Sequence, residues 1–382
     1  MISGTPGFVG VRLKQAREAM GLTVTSLGQA LGVTKQAVSR WEGGLDSPRP
    51  ELFDRLCGIL CQPAYFFMQP INSSLFRGTR FYRSLASTTS AARQKADARN
   101  FWARETANYV LRYVEFPRVN FPVWKIADPS ALTMRDVEVW ATETRKFWGL
   151  GDAPIANLLR VAENNGALVV RDYLDAETLD ALSEWLEPEG IPFIVLNADK
   201  ESAVRSRLDL AHELGHLILH RKVSQEELNK KALFKQIEKQ AFRFGGALLL
   251  PERAFLADLY SLSLDALRAL KSKWKVAIAA MIYRLADLGV LTEDQEKRFW
   301  INYVRRGWRL REPLDDQLPF EMPSLLPQAF QIMVDQGHDR DQIPGSIGHG
   351  KSQIEQIANL PENFLGPLPS VQAKIIPFRK LG

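Results

Sequence analysis

Cysteine and histidine are scarce in this sequence: 2 and 5 respectively in 382 residues. So few cysteines exclude a disulfide framework and fit a reducing cytosol. Cys57 and Cys61 stand four apart on an expected helix, where two small core side chains are the plain reading. Long apolar runs are missing too. None reaches the ~18 residues that a bilayer-spanning helix needs, so no membrane partner is expected. The opening "MISGTPGFVGVRLKQ" lacks a basic stretch followed by an apolar core, which argues against a secretion signal and for a cytoplasmic protein. Excess charge is slight. Lys and Arg number 49 against 44 Asp and Glu, a net of +5, too mild to point to nucleic acid by itself.

What is present is unevenly placed. From Phe76 to Arg118, nine basic residues stand against three acidic ones, a net of +6 that exceeds the whole-chain excess. Such a segment either adds phosphate contacts beside a DNA-reading module or is a solvated helix face. A chain of 382 residues argues for two or three domains.

Residues 11–62 read as short amphipathic helices between tight turns. "VRLKQAREAMG" puts Leu13, Ala16 and Met20 on one face and stops at Gly21. "TVTSLGQALG" follows, then "VTKQAVSRWEGG", with Thr34 as N-cap and Val38 and Trp41 facing inward. Lys35, Gln36, Ser39 and Arg40 are left facing out. A helix, a glycine-containing turn and a helix with outward polar side chains is the helix-turn-helix arrangement, whose second helix enters the major groove by its N-terminal end. Thr34, Lys35, Gln36, Ser39 and Arg40 are therefore the candidate DNA contacts. Over its length "LKQAREAMGLTVTSLGQALGVTKQAVSRWEGGLDSPRPELFDRLCGIL" resembles the XRE family of phage-repressor-type DNA-binding domains. The resemblance implies a double-stranded operator as partner and a homodimer.

The middle of the chain changes character. Arg93 to Val114 is a helical run, ended by the prolines of "FPRVNFPVW". Asp136–Trp148 and Pro154–Asn164 read as helices, and "GALVVRDYL" and "IPFIVLNAD" as strands. The "DAETLDALSEWLEPEG" between them reads as a helical or irregular excursion. A few strands followed by helices argue for α+β. The expected layout is an all-α helix-turn-helix domain (1–70), a basic helical linker (71–125), a central α+β domain with a small sheet (126–260) and a helical C-terminal extension (261–382). The fold class is mainly α with α+β.

Three of the five histidines fall in "DLAHELGHLILH". Residues four apart share a helix face, so His212 and His216 point at one ion while Glu213, one position on, reaches a water beside it. Leu210, Ala211, Leu214, Leu217 and Ile218 make the helix a buried one. Histidines and a glutamate buried there without a use would be costly. A catalytic zinc takes three protein ligands and leaves one position for water. His220 lies another turn along, about 6 Å up the axis, too far to be the third ligand. His338 and His349 lie in a Pro/Gly-rich tail. Glu238, in "IEKQAFRFGGALLLPE", is the better candidate: it sits on a helix that returns after a loop. Gly245 and Gly246 in that helix cost ~1 kcal/mol each but allow another backbone close.

"LDLAHELGHLILH" with "IEKQAFRFGGALLLP" and the preceding "ALVVRDYL" and "IPFIVLNADKESAVRSR" resembles the ImmA/IrrE family of zincin-like metallopeptidases over about residues 130–255. The resemblance implies Zn2+ as cofactor, His212, His216 and Glu238 as its ligands, and Glu213 as catalytic base. Two positions depart from the family pattern: Gln240, where an acidic residue is common, and Phe242, where a polar one is. The fusion of an XRE domain to such a domain resembles a type of bacterial and phage-related regulator. The implied activity is zinc endopeptidase cleavage of a repressor or antitoxin, the extended substrate pairing with a strand such as Ile191–Asn197. The alternative is a non-proteolytic regulator or antitoxin that uses the same fold to sense a ligand or partner.

Overall fold

Residues 10–59 form four helices: α1 (Gly10–Ala19), α2 (Val24–Leu31), α3 (Lys35–Glu42) and α4 (Pro50–Ile59). This is a computed structural model, and it describes residues 4–71, 79–82, 89–126, 128–174, 179–188, 190–199 and 202–366. Local chemistry sets these boundaries. Thr23 and Ser26 form a capping box on α2, Gly32 ends it at φ 73°, and the Thr34 hydroxyl accepts from Ala37 N at 3.2 Å to start α3. Leu13, Ala16, Leu27, Leu31, Val38, Trp41 and Leu56 are buried between the helices. Cys61 departs from expectation: it is exposed and follows the end of α4.

The basic segment turns inward, which corrects the reading of a phosphate-facing or solvated surface. It contains a short strand, β1 (Arg80–Tyr82), and a long helix, α5 (Ser90–Val110). Arg99 binds Asp172 through two bonds of 2.7 and 2.5 Å, and Arg104 reaches Glu184 at 3.1 Å. Arg80 reaches Glu184 and Asp97 at 3.3 and 2.8 Å. A count of charges cannot separate a surface arginine from one whose carboxylate lies 73 to 104 residues away. Arg112 and Arg118 remain exposed, and Arg77 and Arg83 lie outside the described residues.

After α5 come α6 (Met134–Phe147) and α7 (Leu158–Asn164), then strands β2 (Leu168–Asp172), β3 (Ala181–Leu186) and β4 (Ile191–Asn197). The sheet order is β1-β3-β4-β2, with β2 and β4 parallel and the other pairs antiparallel. Two expectations change here. Part of the excursion between the expected strands, Ala181–Leu186, is itself a strand, β3. Helix-prone Ala181, Leu182 and Glu184 are overridden by a two-residue alternation, because Ser183 and Trp185 face one side and Leu182, Glu184 and Leu186 the other. In addition, Ile191–Asn197 is an interior strand paired on both edges, so it has no edge to offer a substrate.

Helices cover both faces of the sheet. On one side, Leu168, Val170, Leu182, Phe193 and Val195 join α5, the helix-turn-helix core and the helices α15 (Leu325–Asp335), α16 (Ile343–Ile347) and α17 (Lys351–Ile357) in one apolar cluster. On the other, Val169, Trp185, Ile194 and Leu196 pack on α6, α7, α8 (Ala203–Leu219), α10 (Lys231–Leu249) and α11–α14, which span Glu252–Asp258, Leu264–Trp274, Ile278–Asp287 and Glu293–Arg305. The short α9 (Gln225–Leu228) bridges α8 and α10. Two-sided burial explains why "LVV" and "FIVL" read as unbroken apolar runs.

Candidate metal centre

α8 is buried along almost its whole length beneath β3 and β4, and its partner is α10. Glycine permits the closeness of that pair. A Cβ built on Gly245 would lie 3.1 Å from the His212 nitrogen and 3.2 Å from the Ala211 carbonyl carbon. One on Gly215 would meet Ala241 backbone at 3.1 Å. Gly246, expected to share this role, meets only the flexible Arg284 side chain at 3.8 Å. The close approach brings Glu238 of α10 against the histidines of α8.

The His212 and His216 Nε2 atoms are 2.9 Å apart. Glu238 places Oε1 3.0 Å from His216 Nε2 and Oε2 3.6 Å from His212 Nε2. Two nitrogens and a carboxylate on a tetrahedral zinc, with bonds of ~2.0–2.2 Å, stand about 3.3 Å from one another. The observed 2.9, 3.0 and 3.6 Å bracket that value. The donor set also suits the ion: two imidazole nitrogens and a carboxylate are ligands zinc takes. Burial pushes the Glu238 carboxyl up, but the His212 and His216 rings against it outweigh that and hold the group well below the usual carboxylate range. The carboxylate is therefore ionised, as a ligand must be.

A chain of hydrogen bonds behind His216 fixes its tautomer. The Gln240 amide nitrogen donates to the Pro129 and Leu132 carbonyls at 2.9 and 3.1 Å, so its Oε1 must face His220 Nε2, 2.9 Å away. That oxygen only accepts, so His220 carries its proton on Nε2. Its Nδ1 is then bare and accepts from His216 Nδ1, 3.0 Å away. His216 is left with a bare Nε2 aimed at the site. Burial, then the neighbouring His216, holds His220 far below the ordinary imidazole pKa, so it stays neutral.

Glu213 is fully buried, and its Oε2 accepts a 2.5 Å hydrogen bond from Ser183 on β3. The Phe81 ring of β1 stacks on His216, with centroids 4.8 Å apart and planes 12° from parallel. Glu238 is the most open of these side chains, at 20% exposure.

The structure thus brings His212, Glu213, His216 and Glu238 to one place, and His212, His216 and Glu238 form the metal-competent group among the described residues. His220 is outside that group, as expected, but hydrogen-bonds to it. Ser183, Gln240 and Phe81 were not singled out for these contacts. Ser183 sits in a stretch that reads as a helical or irregular excursion, and Phe81 carries no local signal. Thr34, Lys35, Gln36, Ser39 and Arg40 are all exposed on α3, far in sequence from the metal group.

Comparison with known proteins matches both regions. Residues 9–64 match the Helix-turn-helix domain family, and residues 162–286 match the IrrE N-terminal-like domain of the M78 peptidases. The chain is 35% identical over 65 residues to an uncharacterized HTH-type transcriptional regulator, y4wC, of Sinorhizobium fredii. That match covers 17% of this chain and 46% of the relative, so the chain spans about half the length of the curated relative it matches. The protein joins an N-terminal helix-turn-helix domain to an IrrE N-terminal-like domain of the M78 peptidase type.

Proposed function

We propose that this chain is a DNA-binding transcriptional regulator whose IrrE-like domain is a zinc-dependent endopeptidase acting on a repressor- or antitoxin-type protein. The convergence of His212, His216 and Glu238, with Glu213 buried beside them, carries the proposal. When bound, zinc supplies Lewis acidity that polarises a peptide carbonyl and acidifies water. His212, His216 and Glu238 hold it; the Gln240–His220 relay keeps His216 in the ligating tautomer. Glu213 takes a proton from the attacking water and passes it to the leaving amine. Ser183 donates to Oε2 of Glu213 and orients that carboxylate on the sheet. On DNA, exposed Lys35, Gln36, Ser39 and Arg40, with α3 started by Thr34, supply phosphate and base contacts from a homodimer.

The test is metal analysis of the purified protein, followed by incubation with repressors and antitoxins encoded nearby. Wild type is expected to hold one equivalent of zinc and cleave one of them. Glu213→Gln is expected to keep the metal and lose cleavage by at least ~100-fold, the lower range for a general base. Wild-type cleavage by that variant would remove Glu213 from the mechanism.

A second reading has one observation in its favour. The helix-turn-helix core, α5 and one face of the sheet form a single apolar cluster. Such a unit suits a sensor in which an event at the metal domain alters DNA binding without proteolysis. Metal and operator binding with no cleavage of any neighbouring protein would favour it.

A further inference from the structure

β1 is the outermost strand of the sheet, at an edge to which an extended peptide could add. It adds to the outer edge of β3, in antiparallel register, with Arg80 opposite Glu184, Phe81 opposite Ser183 and Tyr82 opposite Leu182. Ser183 is the residue bonded to Glu213, so the pairing sits directly over the candidate base. Side chains alternate as they do in a bound peptide. Arg80 turns to Glu184 and Asp97 on the α5 side, while Phe81 turns to the metal side and stacks on His216. The Phe81 ring enters a small apolar recess of Val223, Leu228 and Ile237, edged by Leu233 and Phe234. This cluster is separate from the two large cores. The Arg80 amide also donates to the Gln225 side chain at 3.2 Å, a contact open to any peptide backbone in that position.

Within the described residues β1 spans Arg80–Tyr82 and sets one aromatic in its own recess beside His216, apart from the two large cores. We propose that the edge of β3 and this recess form a binding groove for an extended peptide bearing an aromatic side chain, and that the chain's own Arg80–Tyr82 strand occupies the groove in place of substrate. The inference rests on the peptidase reading above for calling the occupant a substrate. Backbone pairing with β3 supplies affinity, and the recess selects the aromatic. The protein's own strand must leave before a protein substrate can enter.

The experiment measures binding by fluorescence anisotropy, with a labelled seven-residue peptide, Gly-Thr-Arg-Phe-Tyr-Arg-Ser, copied from positions 78–84. Full-length wild type is compared with Phe81→Asp. Binding to a groove that is rarely vacant is weakened by the vacant fraction, so the variant is expected to bind the peptide about tenfold tighter or more. The same peptide with aspartate in place of phenylalanine is expected not to bind. Equal affinity in wild type and a folded variant overturns the proposal, as does equal binding of the two peptides. Phe81→Ala empties the recess without adding a charge and gives the same comparison if Phe81→Asp fails to fold. Tighter binding without cleavage of any protein keeps the groove and removes the peptidase. Cleavage by wild type with no change in peptide binding keeps the peptidase and removes the groove.

Discussion

Replacing Gln240 by methionine tests whether a residue that does not touch the metal controls its binding. The side chains are of similar length, so packing is largely kept, but the acceptor for His220 Nε2 is lost. The Pro129 and Leu132 carbonyls lose their donor as well. His220 is then free to carry its proton on Nδ1, facing the Nδ1 of His216 3.0 Å away. Two N–H groups cannot share that contact. His216 therefore moves its proton to Nε2, the atom that must be bare to ligate. Loss of such a supporting hydrogen bond costs ten- to hundredfold in metal affinity, or about 1.4–2.7 kcal/mol. The two carbonyl contacts cost about 1 kcal/mol each in the metal-free fold. The two effects separate experimentally. Zinc affinity is measured by competition with a chelator of known strength, and metal-free stability by denaturant unfolding. A folded Gln240→Met protein that holds zinc within twofold of wild type would refute the tautomer argument, whatever its stability.

Four other expectations use different parts of the molecule. Gly245→Ala pushes a methyl to 3.1 Å from the His212 nitrogen, where only backbone can yield, and is expected to lower both melting temperature and zinc affinity. Gly246→Ala meets only a flexible arginine and should stabilise by up to ~1 kcal/mol through helix propensity, read from the same melts. Glu105→Ala strips the partner from buried Arg12, which it holds at 2.6 and 2.7 Å, and is expected to cost about 3–5 kcal/mol in denaturant unfolding. Burial raises the Glu105 carboxyl, but the Arg12 and His349 hydrogen bonds hold it below its ordinary 4.5. The stability it supplies is therefore complete above about pH 4.5 and lost as pH falls through the lower folded value, which acid titration of wild type against the variant measures. Lys35→Ala, on the exposed face of α3, should reduce the slope of log K for operator DNA against log salt by about 1 per protomer, about 2 for the proposed dimer.

The parts that were legible in the sequence are those whose cause is local. His212 and His216 are neighbours because a helix repeats every 3.6 residues, and the apolar residues around them already mark α8 as buried. Thr34, Gly32 and Val38 announce the recognition helix through capping and periodicity. Glu238 needed one further step, a loop short enough to fold α10 back. What was hidden depends on partners distant in the chain. Ala181–Leu186 reads as a helical or irregular excursion until Glu184 is seen to be neutralised by Arg80, Arg104 and Asn100. The arginines of α5 read as surface charge for the same reason. No local pattern marks Phe81 for His216, 135 positions on, nor Gln240 for the Pro129 turn.

α5 has a further consequence. Along its 21 residues, about 30 Å, Arg104 grips the sheet through Glu184 while the next residue, Glu105, grips α1 through Arg12. The helix-turn-helix domain and the sheet above the candidate metal group are held by adjacent side chains on one turn of a rigid rod, not by a leash. If the chain binds DNA as the proposed dimer, on half-sites one helical turn (~34 Å) apart, the two His212–His216–Glu238 clusters would have a fixed separation and a fixed direction. For the proposed regulator, the spacing of the operator half-sites would then set how far apart the two clusters stand.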